Sequence, residues 1–339
     1  MPRVLITTDY LCPGDDVDAY LRAAGMDTVH LPMRGARDPE ELAAALEGID
    51  AALIANEPMT ADVLGRADRL RAVVRTGVGY DSVDVEAAAR HGITVSNLPG
   101  INANAVAEYT LGLLLASARR LVASAAGVAA GGWPREDGHE LRGATLGLVG
   151  FGASARAVTP LARAFGMEVL CTTQVPPDER GDVAGEVSFV GLEELLARSD
   201  YVSIHTALND RTRGLIDADA FTRMKPNAIL INTARGPIVD EQALVDAVRD
   251  RRIAGAALDV VAAEPLPPDS PLRDVDGIVV YSHMAGQTAE ARAAAGMRGA
   301  EEIVAALAGR PRSSVNQHLI DAAPRTAAAD ALTAGGQPS

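Results

Sequence analysis

Three apolar runs in the second half of the chain each end at a polar side chain. AILIN leads to Arg235, AGAAL stops at Asp259, and GIVVYS stops at His283. Short runs that are apolar throughout, instead of alternating, read as strands buried on both faces. Such strands occur in parallel sheets covered by helices. In an open parallel sheet, ligands bind at the carboxyl ends of the strands. Three successive strands would therefore bring a guanidinium, a carboxylate and an imidazole to one crevice. Upstream, TLGLVGFGASA supplies a glycine turn suited to a dinucleotide. The combination predicts a redox enzyme.

The rest of the chain alternates in the same way. RVLIT, AALIA, AVVRT and ITVSN read as strands, and DDVDAYLRAAG, PEELAAALEG and SVDVEAAARHG as helices with apolar spacing near 3.6 residues. Residues 102–130 read as one long helical stretch, ended by Gly131 to Pro134. A second alternating unit then supplies six strand candidates, ATLGLVG, MEVLCT, YVSIHTA, AILINT, IAGAALD and GIVVYS, before a final helix from Thr288 to Gly309. The expected fold is α/β with two doubly wound parallel-sheet domains. A Rossmann-type dinucleotide-binding domain, 102–287, is inserted into a flavodoxin-like substrate domain, 1–101 plus 288–320. That arrangement would place a cleft between them. The tail, 321–339, is Ala-, Thr- and Gly-rich and reads as disordered.

A length of 339 residues suits two cores better than one. A formal net charge of −14 disfavours nucleic acid and anionic membranes as partners and makes any anion site a local one. Cys12 and Cys171 are far apart, with neither metal spacing nor a disulfide framework, so no metal is expected. MPRVLITTDY shows no signal-peptide pattern, and the apolar run around LGLLLASA is too short to span a bilayer. A cytoplasmic location is the reading.

Gly150, Gly152 and Ala155 form G-x-G-x-x-A between a strand and a helix. Gly150 permits the tight turn, Gly152 lets the backbone approach a pyrophosphate, and Ala155 is small enough for helix packing. Amides at the helix start, at Ala153, Ser154 and Ala155, would hold the anion. An acid is expected about 20 residues on, at the adenine ribose. The chain instead has Thr173 and Gln174. No basic residue directly replaces the acid, and Arg180, in a Pro-containing loop, reads as a solvated charge. Use of both NAD and NADP is the expectation.

At these residues the chain resembles the D-isomer-specific 2-hydroxyacid dehydrogenases, which include D-3-phosphoglycerate dehydrogenases and glyoxylate/hydroxypyruvate reductases. TGVGYDSVDVEAAARHGITVSN, ELRGATLGLVGFGASA, INTARGPIVDEQAL and AALDVVAAEPLP with SHMAGQT carry the likeness. The resemblance implies hydride transfer between nicotinamide and a small 2-hydroxy or 2-keto acid, with NAD or NADP as cofactor. Arg235 would hold the substrate carboxylate, and His283 would be the acid–base. Glu264 would face His283 and favour its protonated form. Asp259 would bond the nicotinamide carboxamide. Backbone amides of Val78 and Gly79 would supplement Arg235. Thr110, Thr173, His205, Ala207, Thr233, Ala234, His283 and Ala285 would line the cofactor. Ala207 stands where the family often has proline. Arg75 before the TGVG turn points equally to a second anionic group on the substrate, a phosphate or phosphonate, and to pairing with a local acid. A homodimer through the 102–130 helix is implied by the same likeness. Two other readings stay open: a nucleotide-sensing, corepressor-like binding protein, and oxidation of an α-hydroxyphosphonate by the same residues.

Overall fold

The computed structural model describes residues 1–33 and 38–322. The chain divides into two compact units, Met1–Pro99 with the segment from Ala293 onward, and Gly100–Arg292.

Unit 1 contains strands β1 (Arg3–Ile6), β2 (Asp27–His30), β3 (Ala51–Ile54), β4 (Ala72–Arg75) and β5 (Thr94–Ser96). Helices α1 (Asp16–Ala23), α2 (Pro39–Ala45), α3 (Ala61–Arg66) and α4 (Val85–Arg90) alternate with them. The strands are parallel in the order β2-β1-β3-β4-β5, the flavodoxin-like arrangement. DTVH was not read as a strand. It sits at the sheet edge with only Thr28 buried, so its residues show no apolar run.

Unit 2 opens with α5 (Ala103–Ala118) and α6 (Leu121–Ala129). The single helix expected over 102–130 is therefore two, bent by 63°. Arg120 adopts φ 51°, a left-handed conformation that cannot continue the ladder. Next come β6 (Thr145–Val149), α7 (Ala153–Ala164), β7 (Glu168–Thr172), β8 (Ser188–Phe189), α8 (Leu192–Arg198), β9 (Tyr201–Ile204), α9 (Ala218–Arg223), β10 (Ile229–Asn232), α10 (Glu241–Arg249), β11 (Gly255–Leu258) and β12 (Ile278–Val280). Seven parallel strands run in the order β12-β11-β10-β9-β6-β7-β8, one more than expected. The extra strand, β8, is a two-residue edge element too short to leave a pattern. Side chains alternate between the sheet's faces, as both-face burial requires. Val202, Ile204, Leu230 and Leu258 pack in one core, and Tyr201, Ile231, Leu146 and Leu148 in another.

The chain then returns to unit 1 through α11 (Ala289–Leu307) and α12 (Gln317–Ala322). Asp321 and Ala322, read as the start of a disordered tail, close α12. The remainder of that tail lies outside the described residues. Among the described residues no single helix is long and apolar enough to cross a membrane, although α5 and α6 together pass that test as a bent pair.

Candidate active site

The dinucleotide turn of unit 2 has the geometry its glycines suggest. Gly150 adopts φ +102°, and a Cβ there would lie 2.6 Å from the His205 carbonyl oxygen. Only glycine fits. α7 has Gly152 at its N-cap and no side-chain cap, as α5, α6 and α8 also lack one. The first-turn amides of Ala153, Ser154 and Ala155 have no acceptor within the helix. Ala155 is fully buried. An uncapped helix start behind a glycine turn suits a pyrophosphate.

His205 fixes this turn from behind. Its Nδ1 pairs with Ser154 Oγ and its Nε2 with Ser203 Oγ, each at 3.0 Å. Burial pushes the imidazole down to about 4, so it stays neutral. The Ser154 hydroxyl therefore faces the protein, leaving its backbone amide as the group toward an anion. Ser203 is a partner that sequence reasoning did not name.

The polar landings sit at the ends of β10, β11 and β12. After β10, the Asn232 side chain donates to the Arg235 carbonyl and accepts from the Ala234 amide at 2.9 and 3.0 Å. A Cβ on Gly236 would lie 2.0 Å from the Val261 carbonyl carbon, so glycine lets the Arg235 segment press against the chain leaving β11. Thr233 Oγ1 lies 3.4 Å from the buried Thr110 hydroxyl on α5. Ala207, after β9, accepts at its carbonyl from Thr212 Oγ1 at 2.7 Å.

His283 Nδ1 is 2.7 Å from Glu264 Oε2. Burial alone would raise the Glu264 carboxyl. The hydrogen bond and charge of His283, the Val261 amide and the charge of Arg235 outweigh it and hold Glu264 below its usual value. Carboxylate, imidazole and guanidinium are thus electrostatically coupled in one place.

Asp259 also has a role within the protein. It is 1% exposed, and its Oδ1 and Oδ2 accept the Met284 and Ala285 amides at 2.7 and 2.8 Å. Its carbonyl accepts the His283 amide at 2.8 Å. His283 is held at φ 57°, a left-handed conformation uncommon outside glycine. Asp259 therefore clamps the turn that presents the imidazole. Burial and then the Asp259 charge push the Tyr109 phenol well above its usual range. Tyr109 on α5 also meets Tyr281 edge-on at 6.0 Å, and it was not singled out from the sequence.

In the loop after β7, Arg180, expected as a solvated charge, is half-buried. Its guanidinium lies 3.9 Å from the centre of the Phe189 ring and its Nε donates to the Val175 carbonyl at 3.1 Å. Thr173 Oγ1 accepts the Val175 amide at 3.0 Å.

Unit 1 carries the remaining residues. Arg75, at the end of β4, donates to Asn56 Oδ1. Beyond it, Asn97 Nδ2 donates to the Val78 carbonyl at 2.6 Å. Among the described residues the Val78 and Gly79 amides donate no hydrogen bond, and Val78 is exposed. Among the described residues no group of three or more His, Cys, Asp or Glu side chains is arranged to hold a metal.

Comparison with known proteins decides the family. Residues 111–285 match the model of the D-isomer specific 2-hydroxyacid dehydrogenase NAD-binding domain. Glyoxylate reductase of Aeropyrum pernix is 42% identical over 269 residues, which cover 76% of this chain and 80% of that one. The chain belongs to this family. The D-3-phosphoglycerate dehydrogenase of Methanocaldococcus jannaschii is 38% identical over 81% of the chain, but the match spans only 53% of that longer protein. A crystal structure of the TT0316 protein of Thermus thermophilus superposes with a TM-score of 0.83 at 38% identity, covering 92% of this chain and 99% of that one. Unit 2 is the 2-hydroxyacid dehydrogenase NAD-binding domain, and its Rossmann-type sheet carries the glycine turn and the His283–Glu264 pair.

Proposed function

We propose that the chain is an NAD(P)-dependent dehydrogenase of small 2-hydroxy acids, working on the matching 2-keto acids in reverse. The observation that carries the reading is the 2.7 Å His283–Glu264 pair, electrostatically coupled to Arg235, in the unit that holds the dinucleotide turn. The bound nicotinamide would accept or supply the hydride. The α7 amides and the Gly150 turn would hold the pyrophosphate. Arg235 would grip the substrate carboxylate with its planar fork and fix the reacting carbon. His283 would take the hydroxyl proton on oxidation and return it on reduction, with Glu264 stabilising the protonated ring. In unit 1, the Val78 and Gly79 amides, unused among the described residues, would be donors for a substrate carboxylate. Residues 102–287 would act as the cofactor domain, and 1–101 with 288–320 as the substrate domain.

A homodimer is the proposed assembly. The segment following α5 carries Leu121, Val122, Val128 and Trp133, exposed at 53, 42, 46 and 79%. Apolar exposure of this density on a helix that buries none of its residues suits coverage by a second copy.

The test is a panel of 2-keto acids, phosphorylated and not, with NADH and with NADPH. Reduction of at least one short acid is expected, and His283→Ala should lower kcat by about 10²–10⁴-fold while cofactor binding persists. Cofactor binding with no acid reduced would replace the enzyme reading with that of a nucleotide-sensing protein.

A further inference from the structure

We infer that Glu241 is a positioning residue for the acid–base pair: it ties the turn that carries Glu264 to the loop that carries Arg235. The inference rests on the enzyme reading above and deepens it. Glu241 is the first residue of α10 and is half-buried. An acid at a helix N-terminus is favoured by the helix dipole wherever its side chain points, and it needs no partner for that. Here Glu241 Oε1 nevertheless accepts the amide of Ala262, 21 residues along the chain, at 2.6 Å.

The turn at residues 260–265 has little else to hold it. Val261 is buried, but Ala262, Ala263 and Glu264 are exposed. Among the described residues two hydrogen bonds reach the backbone of 260–265, and both acceptors are carboxylates. Glu264 Oε1 accepts the Val261 amide at 3.2 Å, within the turn itself, while its Oε2 faces His283 Nδ1 at 2.7 Å. Of the two backbone bonds, only the one to Glu241 leads out of the turn. It leads to a rigid base. The Gly214 amide donates to the Pro237 carbonyl, Ile216 to Ile238, and Asp240 to Ile216, at 2.9, 3.1 and 3.0 Å. These bonds fasten the segment between Arg235 and α10, and Leu244, Val245 and Val248 root α10 in the core. Gly236 leaves room for the Val261–Ala262 backbone, because a Cβ there would collide with both residues. Glu241 therefore joins an exposed turn to a frame that is held without it, through a charge-assisted bond. Without that tie Glu264 loses its fixed place opposite His283, whereas Arg235 keeps its anchor.

Steady-state kinetics on the full chain, with the 2-keto acid that the wild type reduces best, test this. Glu241→Ala should lower kcat by about tenfold, the scale of one charge-assisted hydrogen bond. KM for the acid and NADH affinity should stay within about threefold, because the Arg235 loop and the dinucleotide turn are held by other bonds. Glu241→Gln keeps an acceptor for the Ala262 amide and should restore kcat to within about threefold of wild type. In a Glu264→Gln background, adding Glu241→Ala should lower kcat by less than about twofold more, because the carboxylate it positions is already gone. Hydrogen exchange of the 261–264 amides should be faster in Glu241→Ala, with those of 238–240 unchanged, and thermal melts establish that each variant is folded. If Glu241→Ala leaves kcat or the 261–264 amides unchanged, or if its loss multiplies in full with that of Glu264→Gln, the positioning role is refuted while the enzyme reading stands. Equal losses in Glu241→Ala and Glu241→Gln would assign the effect to charge and overturn the tie. A wild type that reduces no acid overturns the enzyme reading, and the role of Glu241 falls with it.

Discussion

Replacing Asp259 with Asn tests whether the carboxylate presents the acid–base. Both of its oxygens accept buried backbone amides, from Met284 at 2.7 Å and Ala285 at 2.8 Å. An asparagine can accept from only one of them and turns an NH₂ toward the other. One charge-assisted bond is lost and one amide is stranded, a cost of about 1.5–3 kcal/mol. The left-handed backbone at His283 itself stores about 1–2 kcal/mol, which the clamp must hold in place. With the clamp weakened by at least as much as the strain it opposes, the turn relaxes and the imidazole spends most of its time out of position. At saturating cofactor and acid, kcat should then fall by about 10–100-fold, equivalent to about 1.4–2.7 kcal/mol on the barrier. Steady-state kinetics would be read beside hydrogen exchange of the 283–285 amides, which should exchange faster than in the wild type. Cofactor affinity, measured separately by NADH fluorescence, distinguishes a displaced imidazole from a lost nicotinamide contact. A kcat within about twofold of wild type, with the amides equally protected, would refute the clamp.

Glu264→Gln replaces the charge-assisted bond at His283 Nδ1 with a neutral one, so kcat for keto-acid reduction should fall by about tenfold; an unchanged kcat would take Glu264 out of the mechanism. Arg235→Lys keeps the charge but loses the fork, and should raise KM for the acid and lower kcat together, because the reacting carbon is no longer aligned; unchanged kinetics would show that another group grips the carboxylate. His205 titrates near 6.5 when unfolded and about 4 when folded, so the unfolded chain holds the extra proton between those values. Stability from this group is therefore full above about pH 6.5 and declines by about 3 kcal/mol as pH falls to about 4. Urea midpoints of the wild type should fall more steeply between pH 7 and 5 than those of His205→Gln, and parallel slopes would contradict the buried neutral ring.

Much of this protein is written in local pattern. Strands buried on both faces are apolar at most positions, so β6, β9, β10, β11 and their counterparts in unit 1 announce themselves as runs, and glycine at a strand-to-helix turn marks the dinucleotide site. Those runs, in that order, determine the doubly wound α/β class, and the four motif blocks identify the family. Tertiary structure decided what pattern cannot carry. β2 and β8 are edge strands, half exposed and short, and their residues need not be apolar. The break at Arg120 is one backbone torsion, invisible in an Ala-rich helical stretch. The sequence places Asp259 at a strand end, but its carboxylate points to amides 25 and 26 residues away, because β11 and β12 lie side by side. Arg180 likewise looks solvated until β8 brings Phe189 beneath it. Burial leaves its trace in each residue's own chemistry, whereas the partner of a polar side chain depends on the path of the whole chain.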